Sequence, residues 1–299
     1  MNTKLIATVS ALVLLLSSCT LPKKEITVVI REPGSGTREA FDRAVGNGTH
    51  FLEEYDESGK KIDRNSIYAI VQTKSGSIVS SVASDKNAIG YLSQSALSPA
   101  VKAIRVNGVS PSAESVLDGT YPLRRPFVIC TNGKVAPTPL CADFLRYLKS
   151  DRMQSHAAES DCILSNEISS AELHFEPQES LPPGEKILLR GSTSLEKLIT
   201  TAARGYAACY GIDGSLIFDL QLEGSSVGIK AATEDRTGRI IGLSSATVPN
   251  GPDQFTVAYD ALAVIVHPEN PIENLSLTQL FGIFSGTVKY FDELKEGSS

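Results

Sequence analysis

Three short turns of glycine, serine and threonine are the places in this chain best suited to chemistry: Gly34-Ser35-Gly36-Thr37, Gly191-Ser192-Thr193-Ser194 and Gly224-Ser225-Ser226. Each falls where a strand-like run gives way to a helical pattern. A helix start leaves its first backbone N–H groups without intrahelical partners, and the helix dipole adds partial positive charge there. Hydroxyls beside such N–H groups make a seat for a dehydrated oxyanion. Arg31, just before the first turn, adds a planar fork of donors suited to a tetrahedral anion. One such turn is an ordinary helix cap. Three of them with an arginine point to anion binding.

Other chemistries fit poorly. Gly34-Ser-Gly-Thr37 lacks the spacing and the lysine of a phosphate-binding P-loop, and there is no GxSxG elbow or HExxH pair. Acidic residues are plentiful, but no pair is set apart from a solvated face. His50, His156, His174 and His267 form no ligand motif, so neither a metal nor a cofactor is expected. A phosphatase working through Ser35 or Thr193 would need a general base, and none stands at a recognisable spacing. Cys130, Cys141, Cys162 and Cys209 contain no CxxC. A Cys130 bridge to Cys141 or Cys162 and a set of buried free thiols both remain open.

Composition narrows the class. With 299 residues, 41% of them hydrophobic, the chain is long enough for about two domains with separate cores. A net charge of −6 argues against a nucleic-acid surface, and the absence of Trp against a stacking surface for sugars or bases. An anion must therefore be drawn by local dipoles, not by the field of the whole molecule.

The elements that position the turns follow from periodicity. Ile26-Thr-Val-Val-Ile30 reads as a strand, and residues 37–45 read as a helix with Ala40, Phe41 and Ala44 on one face. Residues 77–84 form a second helix, and Ile89-Gly-Tyr-Leu92 and Phe127-Val-Ile-Cys130 form strands. Pro111 suits a helix start and Gly119 a helix stop; residues 142–148 begin another helix. Later the rhythm repeats. Strand Ile187-Leu-Leu189 leads to a helix over residues 195–206, where Thr193-x-x-Glu196 fits a capping box. A helix follows Gly224 to Ala232, then strands Ile240-Ile-Gly-Leu243 and Ala261-Leu-Ala-Val-Ile-Val266, then a helix over 277–284. This alternation predicts an α/β fold with largely parallel sheets. Between the two stretches, residues 166–186 are rich in Glu, Ser and Pro and carry Pro182-Pro183-Gly184, which reads as a linker. Fully extended, about 21 residues reach about 70 Å.

The amino terminus reads as targeting. A basic start precedes an apolar run over residues 5–16, too short to cross a bilayer and suited to a signal peptide. Leu16-Ser17-Ser18-Cys19 resembles a bacterial lipobox. Residues 1–18 are thus expected to be a signal peptide and Cys19 the lipidation site.

Longer motifs carry a family resemblance. Arg31-Glu-Pro-Gly-Ser-Gly-Thr-Arg-Glu-Ala-Phe41, Ser75-Gly-Ser-Ile-Val-Ser-Ser-Val-Ala-Ser-Asp-Lys-Asn-Ala-Ile-Gly-Tyr91, Val101-Lys-Ala-Ile-Arg-Val-Asn-Gly108 and Gly119-Thr-Tyr-Pro-Leu-Arg-Arg-Pro126 resemble the substrate-binding lipoproteins of bacterial phosphate ABC transporters. So do Gly191-Ser-Thr-Ser194, Gly224-Ser-Ser-Val-Gly-Ile-Lys230 and Ala258-Tyr-Asp-Ala-Leu-Ala-Val-Ile-Val-His-Pro-Glu-Asn-Pro271. The order differs from the family's, in which the GSTS and GSS turns come first. That resembles a circular permutation, with residues 166–186 joining the old termini. A tandem-gene fragment, or halves completing one another between chains, would give the same order.

The resemblance implies a two-lobed α/β fold of the periplasmic-binding-protein type, hinged, with ligand between the lobes. One lobe would comprise residues 19–126 and 258–299; the other would comprise 127–257 and contain the linker. The family's ligand contacts land on Arg31, Ser35, Gly36 and Thr37 from the first lobe and on Thr193, Ser194, Ser225 and Ser245 from the second. Arg31 would carry the main countercharge. Some members place an Asp where Ser245 stands, and Glu32 is another possible acceptor. The implied function is capture of inorganic phosphate without catalysis, as the lipid-anchored, extracytoplasmic solute-binding component of an ABC importer with a membrane permease as partner. A lipoprotein using the scaffold as a phosphate sensor, adhesin or assembly subunit is the alternative.

Overall fold

The structure, a computed structural model, describes residues 24–169, 174–247 and 251–294. The signal-peptide and Cys19 expectations, and part of the 166–186 segment, fall outside the described residues.

In chain order, strand β1 (Thr27–Arg31) leads through a turn to α1 (Gly36–Ala44). A small hairpin follows, β2 (Glu53–Tyr55) and β3 (Lys61–Asp63), then β4 (Ile70–Gln72), α2 (Ser75–Ala83) and β5 (Ala88–Ser93). Short strands β6 (Lys102–Ala103) and β7 (Arg105–Val106) and helix α3 (Ala113–Leu117) precede the long β8 (Arg124–Thr131). Next come α4 (Pro139–Leu148), α5 (Met153–Glu159), β9 (Ile163–Leu164) and α6 (Asn166–Ser169). The third stretch is β10 (Ile187–Gly191), α7 (Glu196–Cys209), β11 (Phe218–Leu222), α8 (Ser225–Glu234) and β12 (Ile240–Ser244). The chain closes with the long β13 (Asp253–Val266), β14 (Asn274–Leu275) and α9 (Leu277–Phe284).

One sheet runs through the molecule in the order β11-β10-β12-β8-β13-β5-β1-β4, with β6 and β9 also pairing with β13. The expected parallel pairing holds on its two flanks, where β10 lies parallel to β11 and β12, and β1 parallel to β4 and β5. The middle departs from it: β8 runs antiparallel to β12 and β13, and β13 antiparallel to β5. Strands that carry the chain from one flank to the other must turn back against their neighbours. The β8–β13 ladder slips between Thr256 and Ala258, leaving an extra residue on β13.

Apolar burial divides on either side of that slip. One core gathers Phe127, Ile129, Phe144, Tyr206, Leu243 and Val257 under α4, α5 and α7. A second gathers Ile30, Phe41, Tyr91, Tyr121, Val264 and Phe284 under α1, α3 and α9. Each sheet flank is also covered on its other face, by α8 through Ala232 in one lobe and by α2 through Ile78 and Val82 in the other. The two faces explain why β5 and the last part of β13 read as unbroken apolar runs.

The described residues 174–186 are not a free tether. Phe175 is fully buried, edge-on to Tyr147 with the Arg146 guanidinium over its ring. Arg146 also donates to the Glu176 carbonyl, and Gln178 N–H donates to the Tyr210 hydroxyl. The described part of this segment is a strap laid on α4 and α7.

Candidate functional site

The first turn is aimed by packing behind it. Gly34 adopts φ +85°, a left-handed conformation that suits glycine, and turns the chain from β1 into α1. Phe41 of α1 stacks on Tyr91 at 3.8 Å between ring centroids and meets Phe284 edge-on, which fixes the helix against its lobe. Ser35 is the residue before the helix, yet its hydroxyl caps nothing, and Ser35 and Thr37 are both buried. Hydroxyl and backbone donors at this helix start are therefore not consumed by the helix itself.

The second turn is capped differently from the capping-box expectation. Ser192, buried, accepts from Ser194 N–H, and α7 begins only at Glu196 after a short 3₁₀ turn. The extra turn places Ser194, not Thr193, toward the other lobe; Thr193 is exposed. A Cβ built on Gly36 would lie 2.3 Å from Ser194 Oγ, so the lobes touch here and glycine is what permits the approach.

The third turn opens α8 after Gly224, whose φ of +127° again suits glycine. The hydroxyls of Ser225 and Ser245 lie 3.0 Å apart, and Ser245 N–H donates to Ser225 Oγ at 3.0 Å. Ser245 lines a cavity of about 230 Å³ that Glu39, Ala40 and Arg43 of α1 bound from the other side.

The fold thus brings Gly36 against Ser194 and joins Ser225 to Ser245. Arg31 behaves otherwise. Its guanidinium donates to both oxygens of Glu32, at 2.9 and 3.0 Å, and to the Thr73 carbonyl, all within its own lobe. Burial pushes the Glu32 carboxyl up, but the bonds from Arg31 and from backbone outweigh it and hold it below the usual carboxylate range. Both Glu32 oxygens are occupied by its neighbour.

One residue escaped sequence reasoning. Arg125 is buried where the two lobes meet, with Nη1 donating to Ser194 Oγ at 3.0 Å. A Cβ on Gly36 would stand 3.9 Å from the same nitrogen. Asp260 accepts from Arg125 Nε and Nη2 at 2.9 and 2.6 Å. The only sequence signal was the Arg124-Arg125 pair before Pro126. Among the described residues, no group of three or more His, Cys, Asp or Glu side chains is placed to hold a metal.

A model of the PBP superfamily domain matches residues 7–152 and 176–299. Phosphate-binding protein PstS 2 of Streptococcus pneumoniae serotype 4 is 32% identical over 273 residues, covering 90% of this chain and 88% of that protein. The chain belongs to this PBP family of phosphate-binding proteins. Another member, PstS 2 of Streptococcus agalactiae serotype V, is 28% identical over 280 residues, covering 92% of this chain and 89% of its own. The crystal structure of a phosphate ABC transporter phosphate-binding protein from S. pneumoniae TIGR4 aligns with a TM-score of 0.77 at 31% identity, over 91% of this chain and all of that one. The two-lobed α/β architecture is thus the family's own.

Proposed function

We propose that this chain binds inorganic phosphate outside the cytoplasm as the solute-binding component of an ABC importer, closing two lobes on the anion and yielding it to a membrane permease. The observation that carries this reading is the meeting of Gly36 at the start of α1 with Ser194 from across the cleft and with Arg125 where the lobes join. Helix-start N–H groups, hydroxyls and a guanidinium converge there, which is the chemistry of oxyanion capture. In this reading Arg31, Ser35, Gly36 and Thr37 contact phosphate from the lobe of residues 19–126 and 258–299. Ser194, Ser225 and Ser245 contact it from residues 127–257, while the exposed Thr193, also expected from the sequence, stands outside this set. No catalysis is assigned. Ser194 Oγ accepts from Arg125, and Ser225 Oγ and Ser245 Oγ share a hydrogen bond.

Residues 1–18 are read as a signal peptide and Cys19 as the lipid attachment that keeps the mature chain at the membrane surface. Among the described residues no helix is long and apolar enough to cross a membrane. The rearranged order is read as a circular permutation. It is supported by the backbone bond from Ile26 N–H to the Lys289 carbonyl at 2.8 Å, which sets the start of β1 beside the segment after α9.

Hydrogen bonds to a charged group contribute about 1.5–3 kcal/mol each, so several of them support affinity between roughly micromolar and nanomolar. Calorimetric titration of the mature chain with phosphate, then in competition with sulfate, tests the reading. Arg31→Ala is expected to abolish binding with the fold intact. A wild-type chain that releases no heat on orthophosphate refutes the function.

A further inference from the structure

The Arg125 guanidinium is built into the hinge more firmly than a surface arginine could be. Arg125 on β8 and Asp260 on β13 face one another in the strand register, two residues from the slip in the ladder. The Arg125 side chain is 6% exposed and that of Asp260 4%. Asp260 Oδ2 takes Nε and Nη2, while Asp260 Oδ1 accepts from Ser93 Oγ at 2.8 Å. The Phe127 ring lies 5.4 Å from the guanidinium carbon. The side chain is therefore held in one orientation, and it spans Asp260 on one side and Ser194 on the other.

An ion pair this buried need not stabilise a fold, because the desolvation of both charges offsets their attraction. Its placement has a clearer use. Among the described residues, three of the five guanidinium N–H donors have hydrogen-bond partners, leaving two for a ligand. Nη1 stands beside Ser194 and within van der Waals reach of the space above Gly36, where donors of the two lobes converge. Arg31 likewise has three donors engaged, by Glu32 and the Thr73 carbonyl, so its remaining two stand on Nη1.

We propose that Arg125, fixed by Asp260, is a second countercharge for the bound tetrahedral anion and contacts it from the hinge. This rests on the phosphate reading above and adds a residue to it. A preset guanidinium loses little freedom on binding and gives bidentate geometry that an ammonium does not supply.

The test is phosphate titration by calorimetry on the mature chain and two variants, each checked by thermal melting. Arg125→Lys keeps a positive charge but cannot span Asp260 and Ser194 together; its affinity for phosphate is expected to fall at least tenfold. The double variant Arg125→Met with Asp260→Leu removes both buried charges at similar volume; it is expected to melt within a few degrees of wild type and to bind phosphate at least a hundredfold more weakly. If the double variant does not fold, Arg125→Lys alone decides. Wild-type phosphate binding with either folded variant within threefold of it overturns the role of Arg125 and leaves the phosphate reading standing. A wild-type chain that binds no phosphate overturns both.

Discussion

Replacing Gly36 by Ala inserts one methyl group where the lobes meet. The new Cβ would stand 2.3 Å from Ser194 Oγ, and an ordinary contact needs at least about 3.4 Å. About 1 Å must be found. Ser194 has little room to give, since its hydroxyl is held by Arg125, which is held in turn by Asp260. On the other side α1 is pinned by the Phe41–Tyr91 stack. The lobes are expected to stay about 1 Å further apart, and a hydrogen bond near 2.9 Å stretched by that much is lost. Losing one bond to a charged ligand costs about 1.5–3 kcal/mol, or roughly ten- to a hundredfold in Kd. The lobe that carries α1 should itself not suffer, because Ala favours a helix over Gly by about 1 kcal/mol. Calorimetry gives the Kd, and melting with and without phosphate gives the ligand-induced shift, which should shrink. The double variant Gly36→Ala with Ser194→Ala should relieve the clash, since Ser194 Cβ would lie 3.6 Å from the added methyl. It should recover the part of the loss due to separation, though not the serine hydroxyl. An unchanged Kd and ligand-induced shift for Gly36→Ala alone would show that this contact does not govern closure.

Phe175→Ala should destabilise the chain by about 3–5 kcal/mol, the usual cost of emptying a buried aromatic site. Its urea midpoint should fall and limited proteolysis should cut within 174–186; a loss below about 1 kcal/mol would show that the strap does not hold. The buried Asp42 carboxyl is pushed up to about 6 by burial, against the pull of Arg38 and Asn65. A folded value above the unfolded one favours the protonated form in the fold. The Asp42 contribution is therefore full below about pH 4 and is lost as pH rises through about 6, by up to roughly 3 kcal/mol. Urea titrations from pH 4 to 8 should show this fall in wild type and a flatter profile in Asp42→Asn; parallel profiles would refute it. Burial raises the Cys130 thiol to about 11 and the Cys141 thiol to about 12, so neither should react with iodoacetamide at pH 8 until urea is added. Rapid labelling of either, read by peptide mass, would contradict that burial.

Legibility in the sequence follows from range. The turns at Gly34, Gly191 and Gly224 announce themselves because positive-φ glycine followed by small hydroxyl residues is a local signal, and α9 starts and ends where its own pattern places it. The crossing strands were half hidden. β13 reads as a strand from Ala261, but it begins at Asp253, where Asp-Gln-Phe-Thr lacks the apolar run of its buried end. Phe175 was lost in a stretch of Glu, Ser and Pro, since nothing nearby in sequence foretells Tyr147 and Tyr206 as its neighbours. Arg125 is hidden for a different reason. Two adjacent arginines point to opposite faces of a strand. Only the pairing of β8 with a strand 135 residues later shows which of them meets a carboxylate. The free state of Cys130, Cys141, Cys162 and Cys209 also depends on distances that spacing cannot supply.

The paired strands β8 and β13 pass unbroken from one lobe to the other, with the ladder slip between them. Such a ribbon acts as a flexure. It resists extension, because an already extended backbone has almost no length left to give, and it yields to twist where the ladder skips a residue. The halves can thus pivot yet not drift apart, and every excursion must pass through the pivot where Arg125 and Asp260 sit. Grip and axle are the same few residues, so a change that stiffens the one is bound to retune the other.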